Sequence, residues 1–463
     1  MDLQLFSCAL DRYMRAVHRD SRFWAKCTQR RVSITSAALL AAAICGLFPA
    51  QPPSFSASSQ RRSVLAGSAD RPSSVTKSFD AVKVLNRDIS STKSARALLN
   101  IVESEINSPI FDVQHASTAV HRLATWKHTF DEGTEKDHSM TLEILVNKTV
   151  TLIDDSTPKQ SIANMIWAIA KLTPRAPMLQ RLLPTLEDAA LWWAKDFNLQ
   201  EASNIVWGAA VLHMVRRRLA VDVVPTLIEP ILQQSEKLVP QDVSNLLWAA
   251  TSLEPDVQAL LRNSAPILLT GIREKLDTAA PQAISNIIWA VGILGIVDEE
   301  VNAFLMPALN YTSRNLHAFE PRGLANLCLG LALCAYKDTS FMATVSVVVV
   351  QLMPRWKKRW ARSIELDLVE FLWAFAKFDL RDDNLMVTCA EQLLPRVAKL
   401  SDWSLCALAW SLQTTNPDSS LHHFTEIVWK EIRRRDFKES DVERSSKGPR
   451  LWADQWQGQK EIR

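Results

Sequence analysis

Apolar residues recur at helical spacing along most of the chain, and one nine-residue pattern returns at a fixed interval. In Gln282–Ala290 the order is Gln-Ala-Ile-Ser-Asn-Ile-Ile-Trp-Ala, with three polar residues set among apolar ones. Apolar positions three and four apart predict an amphipathic helix. Similar stretches lie at 160–168, 200–208 and 241–249, and weaker copies lie at 322–330, 366–374 and 404–411. We call the helices predicted for these stretches the marker helices.

The spacing of the marker residues predicts a repeat array. The marker asparagines return at a nearly constant interval, and they are Asn164, Asn204, Asn245, Asn286 and Asn326. A tryptophan follows three places after the first four, whereas Leu329 takes that place in the fifth copy. In the last two copies Glu370 and Ala407 stand where the asparagine stands elsewhere. A fixed period of about 40 residues is the signature of stacked helical repeats.

A second residue type keeps the same period. Six prolines follow one another at the interval of the asparagines, with one longer step from Pro307 to Pro354, and they are Pro184, Pro225, Pro266, Pro307, Pro354 and Pro395. Each lies in a second apolar helical segment, and proline kinks or splits a helix. Each repeat is therefore predicted to be a helix pair with a bent second member. The fold predicted is all-α, an α-solenoid of about seven repeats of about 40 residues, with a degenerate cap near Phe111–Ala124.

The segment 1–79 has the composition of a targeting sequence. An apolar core at 34–50 is followed at 51–79 by a Ser- and Arg-rich stretch, and no acidic residue lies between Asp20 and Asp70. Acid-poor, Arg- and Ser-rich segments are typical of transit peptides. We expect an organellar address, a plastid before a mitochondrion; the alternative is a membrane anchor through 34–50. The repeat domain is placed at 80–435, with ordered structure expected from near Ser91 and a loop at 130–139, and 436–463 is predicted to be a disordered tail.

Charge and motifs limit the classes of function. Residues 1–79 carry 11 basic and 4 acidic residues, which leaves 42 basic and 46 acidic residues, or a net charge of −4, for the rest of the chain. The body therefore offers no diffuse attraction for nucleic acid, and any anion site must be local. The sequence contains no phosphate-binding loop, no Gly-x-Ser-x-Gly and no metal-ligand spacing among its seven cysteines and nine histidines. These absences favour a protein that is not an enzyme and that takes no cofactor, metal or small-molecule substrate.

Basic clusters are the first candidates for contact with RNA. The strongest interleaves cations with two indoles in the repeat whose proline step is expanded, and it comprises Arg355, Trp356, Lys357, Lys358, Arg359, Trp360 and Arg362. A second cluster is Arg216, Arg217 and Arg218. Cations contact phosphates and exposed aromatic rings stack on bases. The alternative for both clusters is a solvated helix end favoured by the helix dipole.

The marker asparagines and tryptophans share one helix face, because they are three places apart in the chain. Two interpretations stay open for them. In one, the asparagines form a buried structural ladder and the tryptophans belong to the core between repeats. In the other, both lie on the concave face and hold an extended ligand. The apolar neighbours of each asparagine favour the buried ladder.

With their Gln-x-x-Ser-Asn-Ile-Ile-Trp-Ala pattern, and Phe111–Ala124 ahead of them, the marker helices resemble the organellar helical-repeat proteins of algae and protists. These include octotricopeptide-type and RAP-associated repeats and the helical-repeat subunits of RNA-editing substrate-binding complexes. The resemblance covers about residues 90–430. It implies non-catalytic binding of single-stranded RNA in organellar processing, editing, stability or translation, within a complex of other proteins. The stretch after Arg435 is too short for a RAP domain, so nuclease activity is not implied. The alternative is an armadillo-like scaffold for protein–protein interaction.

Overall fold

The computed structural model describes residues 73–126, 132–173, 175–360, 364–415 and 419–449. Within these ranges every regular element is helical, with twenty α-helices and no strand. The described residues form two compact units, one ending at Ile272 and the other beginning at Arg273. The targeting segment predicted at 1–79 lies outside the described ranges as far as residue 72. No helix in the described ranges combines the length and apolarity needed to cross a membrane.

The helices of the N-terminal unit are α1 Ser73–Ser91, α2 Ala95–Glu105, α3 Val113–Thr125, α4 Glu132–Asp137, α5 Ser139–Leu152, α6 Lys159–Leu172, α7 Leu183–Trp192, α8 Leu199–Leu212, α9 Val224–Leu232, α10 Pro240–Ala250 and α11 Pro255–Ile272. Those of the C-terminal unit are α12 Pro281–Leu294, α13 Glu299–Asn315, α14 Pro321–Leu333, α15 Thr339–Trp360, α16 Glu365–Lys377, α17 Asp383–Leu393, α18 Asp402–Thr415, α19 His422–Arg434 and α20 Glu439–Arg444.

All the predicted marker helices are present, and within each unit they pack on one another in sequence order. In the N-terminal unit α3, α6, α8 and α10 lie side by side, and α1 packs on α3. In the C-terminal unit the same holds for α12, α14, α16 and α18. The second segments form a row of their own, in which α9 packs on α11 and α15 on α17. Each unit is thus a layered stack of helix pairs, the arrangement expected for an α-solenoid.

The marker prolines have different positions in different repeats: Pro395 lies at the start of the 3₁₀ turn Leu394–Lys399 that follows α17, and the other five fall into two groups. Pro184 and Pro225 begin an α-helix after a turn of a different helical type, so the second segment is split there. Pro266, Pro307 and Pro354 instead lie inside α-helices that continue past them. A proline near a helix start costs no hydrogen bond, whereas one in the interior removes a bond to the preceding turn.

Two glycines bring α12 and α14 into close contact. A Cβ on Gly330 would lie 2.5 Å from the carbonyl oxygen of Ile288, and a Cβ on Gly292 would lie 2.7 Å from the carbonyl oxygen of Gly330. Both would meet backbone atoms, which cannot rotate away. The spacing between these two marker helices therefore depends on residues that have no side chain.

Three boundaries differ from the sequence prediction. Helix α1 begins at Ser73, well before Ser91, and its Val82 carbonyl accepts a hydrogen bond from His115 of α3. The predicted loop at 130–139 contains α4 and the first residue of α5. The tail predicted to be disordered from 436 forms α20 and the 3₁₀ turn Ser445–Lys447, because Val442 and Ser445 are buried against the unit. Residues 450–463 lie outside the described ranges.

Candidate functional site

On the marker helices of the N-terminal unit, one line of side chains includes exposed and half-buried residues, whereas most side chains beside it are buried. On α6 this line consists of Gln160, Asn164, Trp167 and Lys171, at steps of four, three and four places, which put them on one helix face. Between Ser161 and Ala170 every side chain of α6 except Asn164 is buried. We call this line, on successive marker helices of one unit, the outer row of that unit.

The same line repeats on α8 and α10. Gln200 and Gln241 are exposed, and the asparagines that follow them are half-buried. The Asn245 Nδ2 donates to Oδ1 of Asn204 at 3.4 Å, and Gln241 Nε2 donates to Oδ1 of Asn245 at 3.0 Å. Asn204 and Asn245 are therefore joined between repeats in a ladder of half-buried amides, and the burial that the ladder interpretation expected is incomplete at Asn164, Asn204 and Asn245.

The aromatic rings of the outer row stack from helix to helix. The ring centroids lie 5.0 Å apart for His121 and Trp167, 6.4 Å for Trp167 and Trp207, and 6.0 Å for Trp207 and Trp248. Trp167 is 8% exposed and Trp248 is 5% exposed, so these rings are used in packing between repeats, as the core interpretation predicted, while Trp207 is half-buried. Ring pairs at these distances are favourable beyond the area that they bury.

Cations border this aromatic ladder. Lys171 Nζ lies 4.3 Å from the Trp167 ring centroid, within the range of a cation–π contact. Burial, with Arg122 and Lys171 nearby, lowers the pKa of His121 to about 4. His121 is therefore neutral at physiological pH. The positive charge of this part of the row comes from lysine and arginine, not from histidine.

In the C-terminal unit a buried ion-pair cluster takes the place of the amide ladder. Arg322 stands at the glutamine position of α14, and its Nη1 donates to Glu370 of α16 at 2.8 Å, while its Nη2 lies 2.6 Å from Asp367 Oδ1. One guanidinium cannot neutralise two carboxylates, and burial raises the pKa of Asp367 to about 7. In the same unit Asn286 and Asn326 are buried, as the ladder interpretation predicted. The sequence could have indicated this ion-pair cluster. Arginine stands at 322, where other repeats have glutamine, and glutamate stands at 370, where other repeats have asparagine.

On α16 the outer row of the C-terminal unit is covered by Ser445 and Ser446. Trp373 and Lys377 occupy on α16 the places that Trp167 and Lys171 occupy on α6. The Trp373 Nε1 donates to the carbonyl of Ser445 at 3.0 Å, and Lys377 Nζ donates to the carbonyl of Ser446 at 3.1 Å. Trp373 is 0% exposed, and its ring lies 6.1 Å from that of Trp410 on α18. Sequence analysis missed this contact.

The cluster Arg216–Arg218 does not offer free cations. Arg216 donates two hydrogen bonds of 2.8 Å to the buried Glu187 carboxylate, and Arg217 pairs with Glu254. Arg218 Nη1 lies 2.7 Å from Asp188. The three arginines and these carboxylates form a network of ion pairs at the surface, near α7 and the end of α8. The prediction that they contact phosphate is not supported by this geometry.

The cluster Arg355–Arg362 is only partly described. Arg355 is exposed near the end of α15, but Trp356 is 4% exposed and packs into the unit. A buried indole cannot stack on a base, so the prediction for Trp356 is wrong. The side chains of Lys357, Lys358, Arg359 and Trp360, and the whole of Arg362, lie outside the described part of the structure.

The thiols in the described ranges are structural. Cys328, Cys389 and Cys406 are buried and unpaired. Burial raises the pKa of the Cys334 thiol to about 12 and raises that of Cys328 further, so neither is a thiolate at neutral pH. Within the described ranges no group of three or more His, Cys, Asp or Glu side chains is arranged to hold a metal ion. The outer row of the N-terminal unit is the candidate site considered below.

Comparison with known proteins adds no family name to this geometry. Models of protein families give no match to the chain. A search of curated proteins finds no significant relative either.

Proposed function

We propose that this is a non-catalytic, helical-repeat RNA-binding protein, built from about seven repeats and an N-terminal cap, that acts in organellar RNA metabolism. The observation that carries the proposal is the outer row of the N-terminal unit, in which α6, α8 and α10 each present an exposed glutamine and a half-buried asparagine at the same two positions, beside a tryptophan that stacks on the next repeat. Solenoids that bind single-stranded RNA read about one base per helical repeat with two or three side chains at fixed positions.

The chemistry of the outer row suits unpaired bases. Each Asn or Gln amide offers two donors and an acceptor, which match the edges of bases. The amide–amide bond between Asn245 and Asn204 is long at 3.4 Å, so a base edge can replace it at little cost. Lys171, at the C-terminal end of the α6 line, can contact phosphate. With a net charge of −4 outside residues 1–79, binding depends on these local contacts.

The proposal of an organelle rests on the composition of residues 1–79 and on the resemblance to organellar repeat proteins. A plastid is preferred over a mitochondrion, and single-stranded organellar RNA is the expected ligand. Other proteins of an RNA-processing complex are expected partners.

The direct test is a titration of labelled single-stranded RNA with the full chain, followed by fluorescence anisotropy at low salt. Combined Asn164→Ala, Asn204→Ala and Asn245→Ala substitutions should weaken binding about tenfold or more, since each lost hydrogen bond contributes about 0.5–1.5 kcal/mol. The matched control carries Asn263→Ala, Asn302→Ala and Asn310→Ala, which remove three exposed asparagines from second-segment helices. The control should bind as the wild type does. No binding by the wild type would overturn the proposal.

A second candidate, an armadillo-like scaffold for proteins, is favoured by one observation. In the C-terminal unit, outer-row donors hold main-chain carbonyls of the chain's own C-terminal segment. The same donors can hold a partner's backbone. Cross-linking in the native organelle separates the two: recovery of bound RNA supports the first function, and recovery of protein partners through the outer row without RNA supports the second.

A further inference from the structure

We propose that the C-terminal segment Lys438–Gly448 is a displaceable cover of the outer row in the C-terminal unit, and that RNA and this segment compete for the same donors. We call these residues the C-terminal cover. The inference rests on the proposed function and adds its regulation: the row around α16 and α18 binds only when the cover has moved away.

The cover uses the positions that the repeat pattern assigns to ligand contact. Trp373 and Lys377 lie at the last two positions of the α16 line, and both side-chain donors are bonded to the cover's main chain. The equivalent pair on α6, Trp167 and Lys171, makes the same cation–π contact as Trp373 and Lys377, with 4.3 Å and 5.9 Å between the ammonium nitrogen and the ring centroid, so the bonds to the cover are additional on α16. The carbonyls of Ser445 and Ser446 therefore stand where the acceptors of a ligand would stand.

The exposed fraction of the equivalent tryptophans also indicates that the cover lies over Trp373. Trp373 has no exposed surface, whereas its equivalents keep some: Trp248 is 5% exposed, Trp167 is 8% exposed, and Trp207 and Trp289 are half-buried. The cover also reaches the line of α14, because a Cβ on Gly448 would lie 2.7 Å from Leu333 Cδ2 and 4.0 Å from Trp373 Cη2. Leu333 follows Leu329 by four places, as Lys377 follows Trp373. The cover thus crosses the outer row of two neighbouring marker helices.

The cover has the features of a segment that opens easily. Helix α20 has six residues, and Lys438, Glu439 and Ser440 are exposed. Val442 is its main apolar anchor, at 1% exposed. Ahead of the cover, Asp436 adopts a left-handed conformation with φ of 60° after α19, which turns the chain back toward the row. Short segments with few buried apolar contacts open at low free energy while the rest of a protein stays folded.

The chemistry makes binding of the cover and of RNA mutually exclusive. An indole N–H and an ammonium group donate equally well to a peptide carbonyl, to a phosphate oxygen and to a base carbonyl. The single Trp373 N–H can serve one acceptor at a time. A ligand therefore binds this part of the row in proportion to the fraction of molecules in which the cover is open.

Two substitutions open the cover without changing a donor. Gly448→Ala adds a Cβ that collides with Leu333 at a residue whose φ is 93°. Val442→Asp places a charge where the anchor is buried. The control is Gly295→Ala, away from the cover: its φ of 61° and ψ of 41° are left-handed helical and cost alanine less than the φ of 93° and ψ of 168° at Gly448, and a Cβ there meets no atom within 4 Å.

The experiment combines hydrogen exchange with RNA binding by the full chain. Both opening variants should exchange faster in residues 438–448 and bind labelled single-stranded RNA about three- to tenfold more tightly, the gain expected if the row is open in a tenth to a third of molecules. Ultraviolet cross-links to the peptide containing Trp373 and Lys377 should appear in the opening variants and stay weak in wild type and Gly295→Ala. Adding Trp373→Phe should remove the gain.

The possible results distinguish failure of the proposed cover from failure of the proposed function. Faster exchange with unchanged RNA affinity would overturn the cover and leave the proposed function standing. Slow exchange of the segment in both opening variants would overturn the cover as well. Absence of RNA binding by every protein, opening variants included, would overturn the proposed function and the competition with it.

Discussion

Helix α14 carries two glycines whose replacement by alanine should have opposite effects on stability. A Cβ on Gly330 would lie 2.5 Å from the carbonyl oxygen of Ile288 and 2.8 Å from the Trp289 nitrogen, both fixed backbone atoms of α12. A Cβ on Gly323 would lie 3.2 Å from a ring atom of the Phe319 side chain, which can rotate slightly. The two positions share a helix and differ in what the new methyl group meets.

Two contributions determine how much each substitution changes the free energy of unfolding. Alanine is more favourable than glycine in a helix by about 1 kcal/mol, and this gain applies at both positions. At Gly330 the new methyl must move from 2.5 Å to at least 3.4 Å from backbone, which separates α12 from α14, and such overpacking costs about 1–3 kcal/mol. Gly323→Ala should therefore be neutral or stabilising, while Gly330→Ala should be destabilising by up to about 2 kcal/mol relative to wild type.

Urea denaturation followed by far-ultraviolet circular dichroism measures this difference. Hydrogen exchange of α12 and α14 then locates it, since stacked repeats need not unfold in a single step. The expected result is a lower midpoint and faster exchange in both helices for Gly330→Ala only. Stabilisation by Gly330→Ala equal to that by Gly323→Ala would refute the close helix approach.

Three further predictions concern other parts of the fold. Trp248→Ala should destabilise the protein by about 3–5 kcal/mol in urea denaturation, because Trp248 is packed between repeats; a near-neutral effect would place its ring on the surface. Burial raises the pKa of Asp367 from 3.8 to about 7, so between these pH values the folded state holds a proton that the unfolded state has lost. The free energy of unfolding should therefore fall as the pH rises from about 4 to about 7, and Asp367→Asn should flatten that pH dependence. Glu187→Gln removes the carboxylate that pairs with Arg216, so it should lower the thermal midpoint and also strengthen RNA binding at low salt. An unchanged affinity would exclude the Arg216–Arg218 cluster from the RNA surface.

The repeat helices could be predicted because their pattern is local. The Gln–Asn–Trp spacing fixes one face of each marker helix, and apolar residues on the remaining faces fix its burial. The period then determines which helix packs on which. The same pattern could not decide whether Asn204 and Asn245 are buried, since that depends on how closely neighbouring helices approach. In α12 and α14 the glycines set that approach, and there Asn286 and Asn326 are buried.

The functional surface was harder to predict, because a single sequence does not show which charged and polar side chains pair with each other in the fold. Arg216 looks like a free cation in sequence, but its carboxylate partner Glu187 lies 29 residues away. The C-terminal cover is polar in composition, and it is ordered by contacts with α16, including one between Trp373 and Ser445 across 72 residues. Long-range pairings of this kind leave no periodic signal in a single sequence.

The central claim is that the outer row of the N-terminal unit contacts single-stranded RNA, and ultraviolet cross-linking of RNA to the full chain, with mass-spectrometric mapping of the linked residues, tests it most directly. The account predicts cross-links on successive marker helices α6, α8 and α10, at or beside Asn164, Asn204 and Asn245, in peptides that lie one repeat apart along the chain. Cross-links confined to the Arg355–Arg362 cluster, or none at all while the protein stays folded, would contradict it.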